Sequence, residues 1–308
     1  MTESVTFNDV TKVFKEEGQP EVVAVDHLSL AVRRGEIFSL VGPDGAGKTT
    51  MIRMMCGVLP PTEGEIRVMG YDMKTDRTEI KNRVGYLSQR FSLYGDLTID
   101  ENIDFFAEIH RVKDYRMRKE ELLEFTRLTQ FRGRLAERLS GGMKQKLALA
   151  CTLVHAPDVI FLDEPTTGVD PVSRRDFWKI LSSVLKQGIS IVMATPYLDE
   201  AERSTRVALV NQGRLLICDT PENVKASFQH HVLEIVCDEP REAMDRIRHE
   251  EGVQSVQLFG DRLHVVVRKE TASMDKLLES LRQGALPITG SRLVAPSLED
   301  VFISRVSS

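Results

Sequence analysis

Gly42, Pro43, Asp44, Gly45, Ala46, Gly47, Lys48, Thr49 and Thr50 place residues that handle phosphate at a spacing that suits it. A glycine, four residues, a second glycine, a lysine and a hydroxyl residue form the P-loop pattern. Gly42, Gly45 and Gly47 let the backbone close into a concave nest of inward N–H groups, because side chains there would block a phosphate. Lys48 sets a positive charge on the terminal phosphates, and Thr49 offers a hydroxyl to Mg2+. EIFSLV (36–41) before the loop reads as a strand. TMIRMMCG (50–57) after it reads as a helix closed by Gly57, so a positive helix end faces the nucleotide.

VIFLDEP (159–165) supplies carboxylates at the end of a short apolar strand. Asp163 is expected to hold Mg2+ through water, and Glu164 to face the γ-phosphate and polarise the attacking water. Two acids after a strand are by themselves an ordinary surface turn. Only beside the glycine loop do they become half of a site.

LSGGMKQ (139–145), a short way before VIFLDEP, is the signature segment of ABC ATPases, and here the chain resembles that family. Ser140, Gly141 and Gly142 open a helix whose start can donate to a γ-phosphate. LSGG alone would mean no more than a capped helix start. The resemblance implies that the phosphate is held by a second, facing ABC ATPase domain. It further implies that Gln89 in VGYLSQRF is the Q-loop glutamine, which contacts Mg2+ and senses the transporter domain, and that Asp170 in TTGVDP belongs to the D-loop. Phe14 in TKVF takes the place of the aromatic that stacks on adenine, although a strand aromatic is more often simply core. The likeness runs from about Val5 to Thr220.

GPDGAGKTT, LYGDLTIDEN, YLDEAE and the closing SLEDVF resemble the exporter branch of daunorubicin-resistance and YbhF-type ATP-binding subunits. This implies ATP and Mg2+ as cofactors, Glu164, Gln89 and Lys48 as catalytic residues, and Thr49, Gln89 and Asp163 around the metal. It also implies ABC-2 type membrane subunits as partners in multidrug export, and a cytoplasmic place on the inner face of the membrane. Two positions depart from the pattern. Pro196 in TPYLDEAE stands where most ABC ATPases carry a switch histidine that touches the γ-phosphate, and proline has neither a side-chain donor nor an N–H. The chain's own site is therefore expected to bind ATP and turn it over slowly, which favours a heterodimer over a homodimer. Asp44 stands where asparagine is commoner, with a small effect expected.

The elements that must position these residues follow from the pattern. VTFNDVTKVF, EVVAVDHLSLAV and EIFSLV are β-like, while about 97–130 carries helical periodicity. VIFLD and ISIVMAT read as central parallel strands. The expected fold class is α/β, a P-loop NTPase core of the ABC kind: a RecA-like sheet with an antiparallel β subdomain and a helical subdomain at about 90–150. That domain is expected over 1–225. A small C-terminal α+β domain is expected over 230–308, with an element order compatible with a ferredoxin-like βαββαβ arrangement that includes a helix near MDKLLESL.

At 308 residues the chain suits a main domain plus a smaller one. Its 42% hydrophobic and 28% charged residues are those of a soluble globular protein. A net charge of -5 gives no general attraction to nucleic acid. Cys56, Cys151, Cys218 and Cys237 lack metal-ligand spacing and read as buried reduced thiols. MTESVTFNDV lacks the basic start and apolar block of an export signal. No apolar run reaches the roughly 18 residues a bilayer span needs, so membrane contact is expected only through a partner. His230 and His231 read as a solvated linker turn, and KDYRMRKEE (113–121) as an exposed helix face. Two other functions compete. A soluble ABC ATPase acting on ribosomes or DNA would usually bring tandem ATPase domains with a charged linker, coiled coils or zinc motifs. A regulatory pseudo-ATPase is favoured by Pro196 and opposed by Glu164.

Overall fold

The structure is a computed structural model that describes residues 2–15, 17–18, 20–89, 92–268 and 288–306. The helix expected near MDKLLESL (274–281) lies outside the described residues. The elements run β1 Glu3–Phe14, β2 Val22–Arg33, β3 Ile37–Val41, α1 Lys48–Met55, β4 Glu63–Val68, β5 Tyr71–Asp72, α2 Arg77–Arg83 and β6 Val84–Leu87. There follow α3 Ile99–Ile109, α4 Arg116–Thr126, α5 Gly141–Leu153, β7 Val159–Asp163, α6 Pro171–Lys186, β8 Ser190–Thr195, α7 Leu198–Ala201, β9 Arg206–Asn211 and β10 Arg214–Asp219. Then come α8 Pro221–Ala226, β11 His230–Cys237, α9 Pro240–Ile247, β12 Val253–Phe259, β13 Arg262–Arg268, β14 Ile288–Val294 and α10 Leu298–Val306. The chain divides into two compact units, 1–220 and 221–308.

In the first unit a six-stranded sheet has the order β10-β9-β3-β8-β7-β6, parallel except for the antiparallel edge strand β10. Every residue of β3, β7 and β8 is buried, which explains why IFSLV, VIFLD and SIVMAT are apolar almost throughout rather than alternating. One core cluster joins this sheet to α1 and to a second, antiparallel sheet of order β2-β1-β4-β5. The other joins its opposite face to α3, α4, α5 and α6. The carboxyl ends of β3, β6 and β7 lead into the glycine loop, Gln89 and the Asp163–Glu164 pair.

Local chemistry fixes the helix starts. Thr98 accepts from the Glu101 N–H at 3.2 Å while the Glu101 carboxylate accepts from the Thr98 N–H at 2.8 Å, a reciprocal cap on α3. Asp170 accepts from the Val172 and Ser173 N–H groups, with Pro171 opening α6. Ser140 accepts from the Met143 N–H at 3.4 Å and opens α5.

The KDYRMRKEE segment is not wholly solvated. Lys119 is buried, and its Nζ donates at 2.9 Å to both carboxylate oxygens of Asp104. The ammonium thus ties α4 to α3 and satisfies a charge that periodicity alone would turn outward. Cys56, Cys151 and Cys237 are buried free thiols, but Cys218 is only half-buried, with Arg206 Nη2 3.2 Å from its sulfur.

In the second unit β12-β13-β11-β14 form a fully antiparallel sheet. Leu233 and Ile235 of β11 meet Ala243 and Ile247 of α9 and Val265 of β13 in its core. His230 and His231 are not in a linker: they are the first residues of β11, opposite Arg268 and Val267. The strand starts earlier than its apolar residues indicate because backbone pairing, not side-chain pattern, sets its end.

Candidate functional site

The glycine loop closes between β3 and α1 for two separate physical reasons. Gly45 and Gly47 lie at φ +78° and +95°, where a side chain is strained. Gly42 does not. There a Cβ would fall 2.2 Å from the Val210 carbonyl oxygen of β9, so its glycine is demanded by the neighbouring strand rather than by room for a phosphate. Lys48 is buried, its Nζ donating to the Gly42 and Pro43 carbonyls at 2.8 and 2.9 Å and lying 3.6 Å from Glu164 Oε1. Asp44 is exposed at the rim of the cavity that the loop lines.

Thr49 Oγ1 donates to Asp163 Oδ1 at 2.9 Å, joining the starts of α1 and the end of β7. Asp163 is only 1% exposed. Burial pushes its carboxyl pKa up, the Thr49 bond draws it back, and the neighbouring Glu164 adds to the rise. Glu164 follows at φ +49°, a left-handed conformation that costs a non-glycine residue about 1 kcal/mol or more. Its Oε2 accepts from Gln89 Nε2 at 3.0 Å and from Thr167 Oγ1 at 3.4 Å. Lys48, Glu164 and Gln89 therefore converge, as do Thr49 and Asp163.

Lys48, Thr49, Gln89 and Glu164 border a cavity of about 680 Å³, with Asp163 buried behind Thr49. Its far wall holds Phe14, 40% exposed, with Val22 and Val23, which pair with Phe14 and Val13 across β1 and β2. Val22, Val23, Thr167 and Tyr197 were not anticipated from the sequence. Two adjacent valines exposed at a strand start, opposite a strand-end aromatic, are the signal that could have marked the first pair. The wall also includes Pro196. Thr195, just before it, donates to Glu200 Oε2 at 3.1 Å and accepts from the Tyr197 N–H at 3.1 Å. Glu200 is buried, accepts from Thr166 Oγ1 at 2.8 Å, and lies 3.2 Å from Arg174 Nε. Burial raises the Glu200 pKa, against the pull of Thr166 and Arg174.

Ser140, Gly141, Gly142 and Asp170 are not brought to this cavity. Ser140 and Gly141 are exposed, whereas Gly142 is buried against Ser173. Among the described residues no group of three or more His, Cys, Asp or Glu side chains could hold a metal. The set that fits Mg2+ is instead the Thr49 hydroxyl, the Asp163 carboxylate and the Gln89 amide oxygen, all hard oxygen donors that leave room for phosphate oxygens. A dication there would offset the burial of Asp163.

A parallel sheet delivering a glycine loop, a buried lysine and a strand-end carboxylate pair defines a P-loop nucleotide-binding domain, and the LSGGMKQ helix start gives it the ABC kind. The ABC transporter family model matches residues 25–167, and the model described as "ATP-binding protein DrrA1-3-like, C-terminal domain" matches residues 220–306. The daunorubicin resistance ATP-binding protein DrrA2 of Streptomyces coeruleorubidus is 32% identical over 287 residues, covering 91% of this chain and 89% of that protein. The probable multidrug ABC transporter ATP-binding protein YbhF of Escherichia coli K12 is 43% identical over 209 residues. That match covers 67% of this chain and 36% of YbhF, so the chain spans about a third of that relative's length. Among solved structures, the post-hydrolysis dimer of the ATP-binding cassette MJ0796 bound to ADP and Pi is similar at a TM-score of 0.64 and 26% identity, covering 70% of this chain and 98% of that one. The chain belongs to the DrrA-like family of ABC transporter ATP-binding proteins, a family of ATPases. No helix among the described residues is long and apolar enough to cross a membrane.

Proposed function

We propose that this chain is the ATP-binding and hydrolysing subunit of an ABC-2 type exporter, driving efflux of drug-like or hydrophobic compounds through separate membrane subunits. The observation that carries this reading is the convergence of Lys48 and Gln89 on Glu164 beside the Thr49–Asp163 bond. The names of the daunorubicin-resistance and multidrug relatives support the export role. In this reading the loop N–H groups and Lys48 grip the β- and γ-phosphates, Phe14 packs on adenine, and Glu164 orients the attacking water while Gln89 holds it in place. Mg2+, when bound by Thr49, Asp163 and Gln89, neutralises charge on the phosphate oxygens. The exposed Ser140–Gly141 tip meets nucleotide held by a second ATPase domain, with the assembly peripheral on the inner face of the membrane.

Pro196 makes this site the slower of the pair. Losing one preorganised donor typically costs on the order of 10²–10³ in rate. The intact signature segment completes a competent site on a different subunit, giving an asymmetric heterodimer. Purified chain is expected to bind Mg-ATP with little turnover, and Pro196→His to raise turnover at least tenfold at unchanged affinity. Brisk, concentration-dependent turnover by the unmodified chain alone would contradict the asymmetric assignment.

A further inference from the structure

Gln145 lies one turn behind the Ser140 tip of α5 and is fully buried. Its Nε2 donates at 2.6 Å to the carbonyl of Pro165, the residue directly after Glu164. Its Oε1 is buried without a hydrogen-bond partner. The helix around it is apolar, with Leu147, Leu149 and Leu153 in the core. A residue kept only for packing there would be aliphatic, since an amide with one buried end unsatisfied carries a desolvation cost. The amide is therefore kept for its link to Pro165.

The same helix start is gripped from a second direction. A Cβ on Gly142 would fall 2.4 Å from Ser173 Oγ, so α5 and the first turn of α6 are in close approach. The Ser173 N–H is one of the two that Asp170 caps. Pro165 lies near the start and Ser173 at the end of the segment that runs from Glu164, which faces Lys48 and Gln89, into the first turn of α6. Lys48 is the partner for which bound phosphates compete, so filling the cavity draws its ammonium away from Glu164. A shift of the Glu164–Pro165 backbone is then passed through a short, rigid hydrogen bond to a helix whose far end is anchored in the core, and the exposed tip moves.

We propose that Gln145 is a positioning residue that transmits the nucleotide state of this chain's own phosphate site to the Ser140 tip, and through the tip to the facing ATP site. This rests on the reading in which that tip meets nucleotide held by a second domain. It gives a slow own site a use: occupancy, rather than turnover, sets the pose of the donors offered to the partner.

Hydrogen–deuterium exchange on the full chain, diluted until monomeric, with and without Mg-ATP, tests the relay without any partner. In the unmodified chain Mg-ATP is expected to slow exchange at 42–50 and to change exchange severalfold at 139–147. In Gln145→Met, which keeps the volume and loses the donor, and in Gln145→Asn, which keeps the amide and loses the reach, protection at 42–50 persists while the response at 139–147 disappears. An undiminished response at 139–147 in the variants, or none in the unmodified chain despite protection at 42–50, overturns the relay. Absence of protection at 42–50 overturns the nucleotide reading itself.

Discussion

Glu164 concentrates the chemistry of the site at the scale of one residue. It sits in a strained backbone conformation, within 3.6 Å of Lys48 and 3.0 Å of the Gln89 amide. Strain of this kind persists where surrounding contacts over-determine the residue. Glu164→Gln keeps the shape and one oxygen while losing the charge that, in the proposed reading, polarises water. In the Pro196→His background its Mg-ATP affinity, read by equilibrium binding, should stay within about threefold, and turnover should lose at least the roughly tenfold that Pro196→His gains. Loss of affinity in step with turnover would instead place Glu164 in ground-state binding. Pro196 stands in the cavity wall and brings no donor to it.

At the scale of elements, strand ends and helix starts decide what meets. The central strands were legible because burial on both faces leaves an unbroken apolar run, and the glycine loop because its geometry tolerates so few residue types. The starts of α3 and α6 are written in Thr98, Glu101 and Asp170. The buried role of Lys119 and the strand placement of His230 and His231 were not legible, since both depend on partners distant in sequence, Asp104 and the β13 backbone. So does the glycine at position 42, whose constraint comes from Val210. Another long-range meeting has a measurable consequence. His110, at the end of α3, stacks at 3.9 Å on His155, just after α5, and the His155 Nε2–H donates to the Val84 carbonyl at 3.0 Å. Burial, with His110 beside it, lowers the His155 pKa to about 4. The stability this neutral histidine retains is complete above the unfolded-state pKa of about 6.5. As pH falls from there towards 4 the unfolded chain takes up a proton that the folded one refuses, and on the order of 3 kcal/mol is lost. Denaturant titrations across that range should show a shallower acid decline in His155→Phe than in the unmodified chain; parallel declines would mean that His155 is not held neutral.

At the scale of the molecule, the first unit supplies a P-loop cavity and, away from it, an exposed Ser140–Gly141 tip. The cavity gathers the P-loop, Gln89, Glu164 and Pro196, while Ser140 and Gly141 face outward elsewhere. In the proposed reading a site divided in this way closes only against another domain. Ser140→Arg should therefore leave Mg-ATP binding by the isolated chain unchanged and reduce turnover of the assembled pair about 10²-fold, read as ATPase activity against partner concentration. Equal activity at saturating partner would remove the shared-site architecture. In the second unit the strands run in the order β12-β13-β11-β14, each antiparallel to its neighbour. Beneath all of this lies the grip of the glycine loop on a triphosphate, and calorimetric titration of the full chain with Mg-ATP, beside Lys48→Ala, tests it most directly. Saturable one-to-one binding that weakens at least tenfold in Lys48→Ala is the predicted result; no binding, or binding indifferent to Lys48, would contradict it.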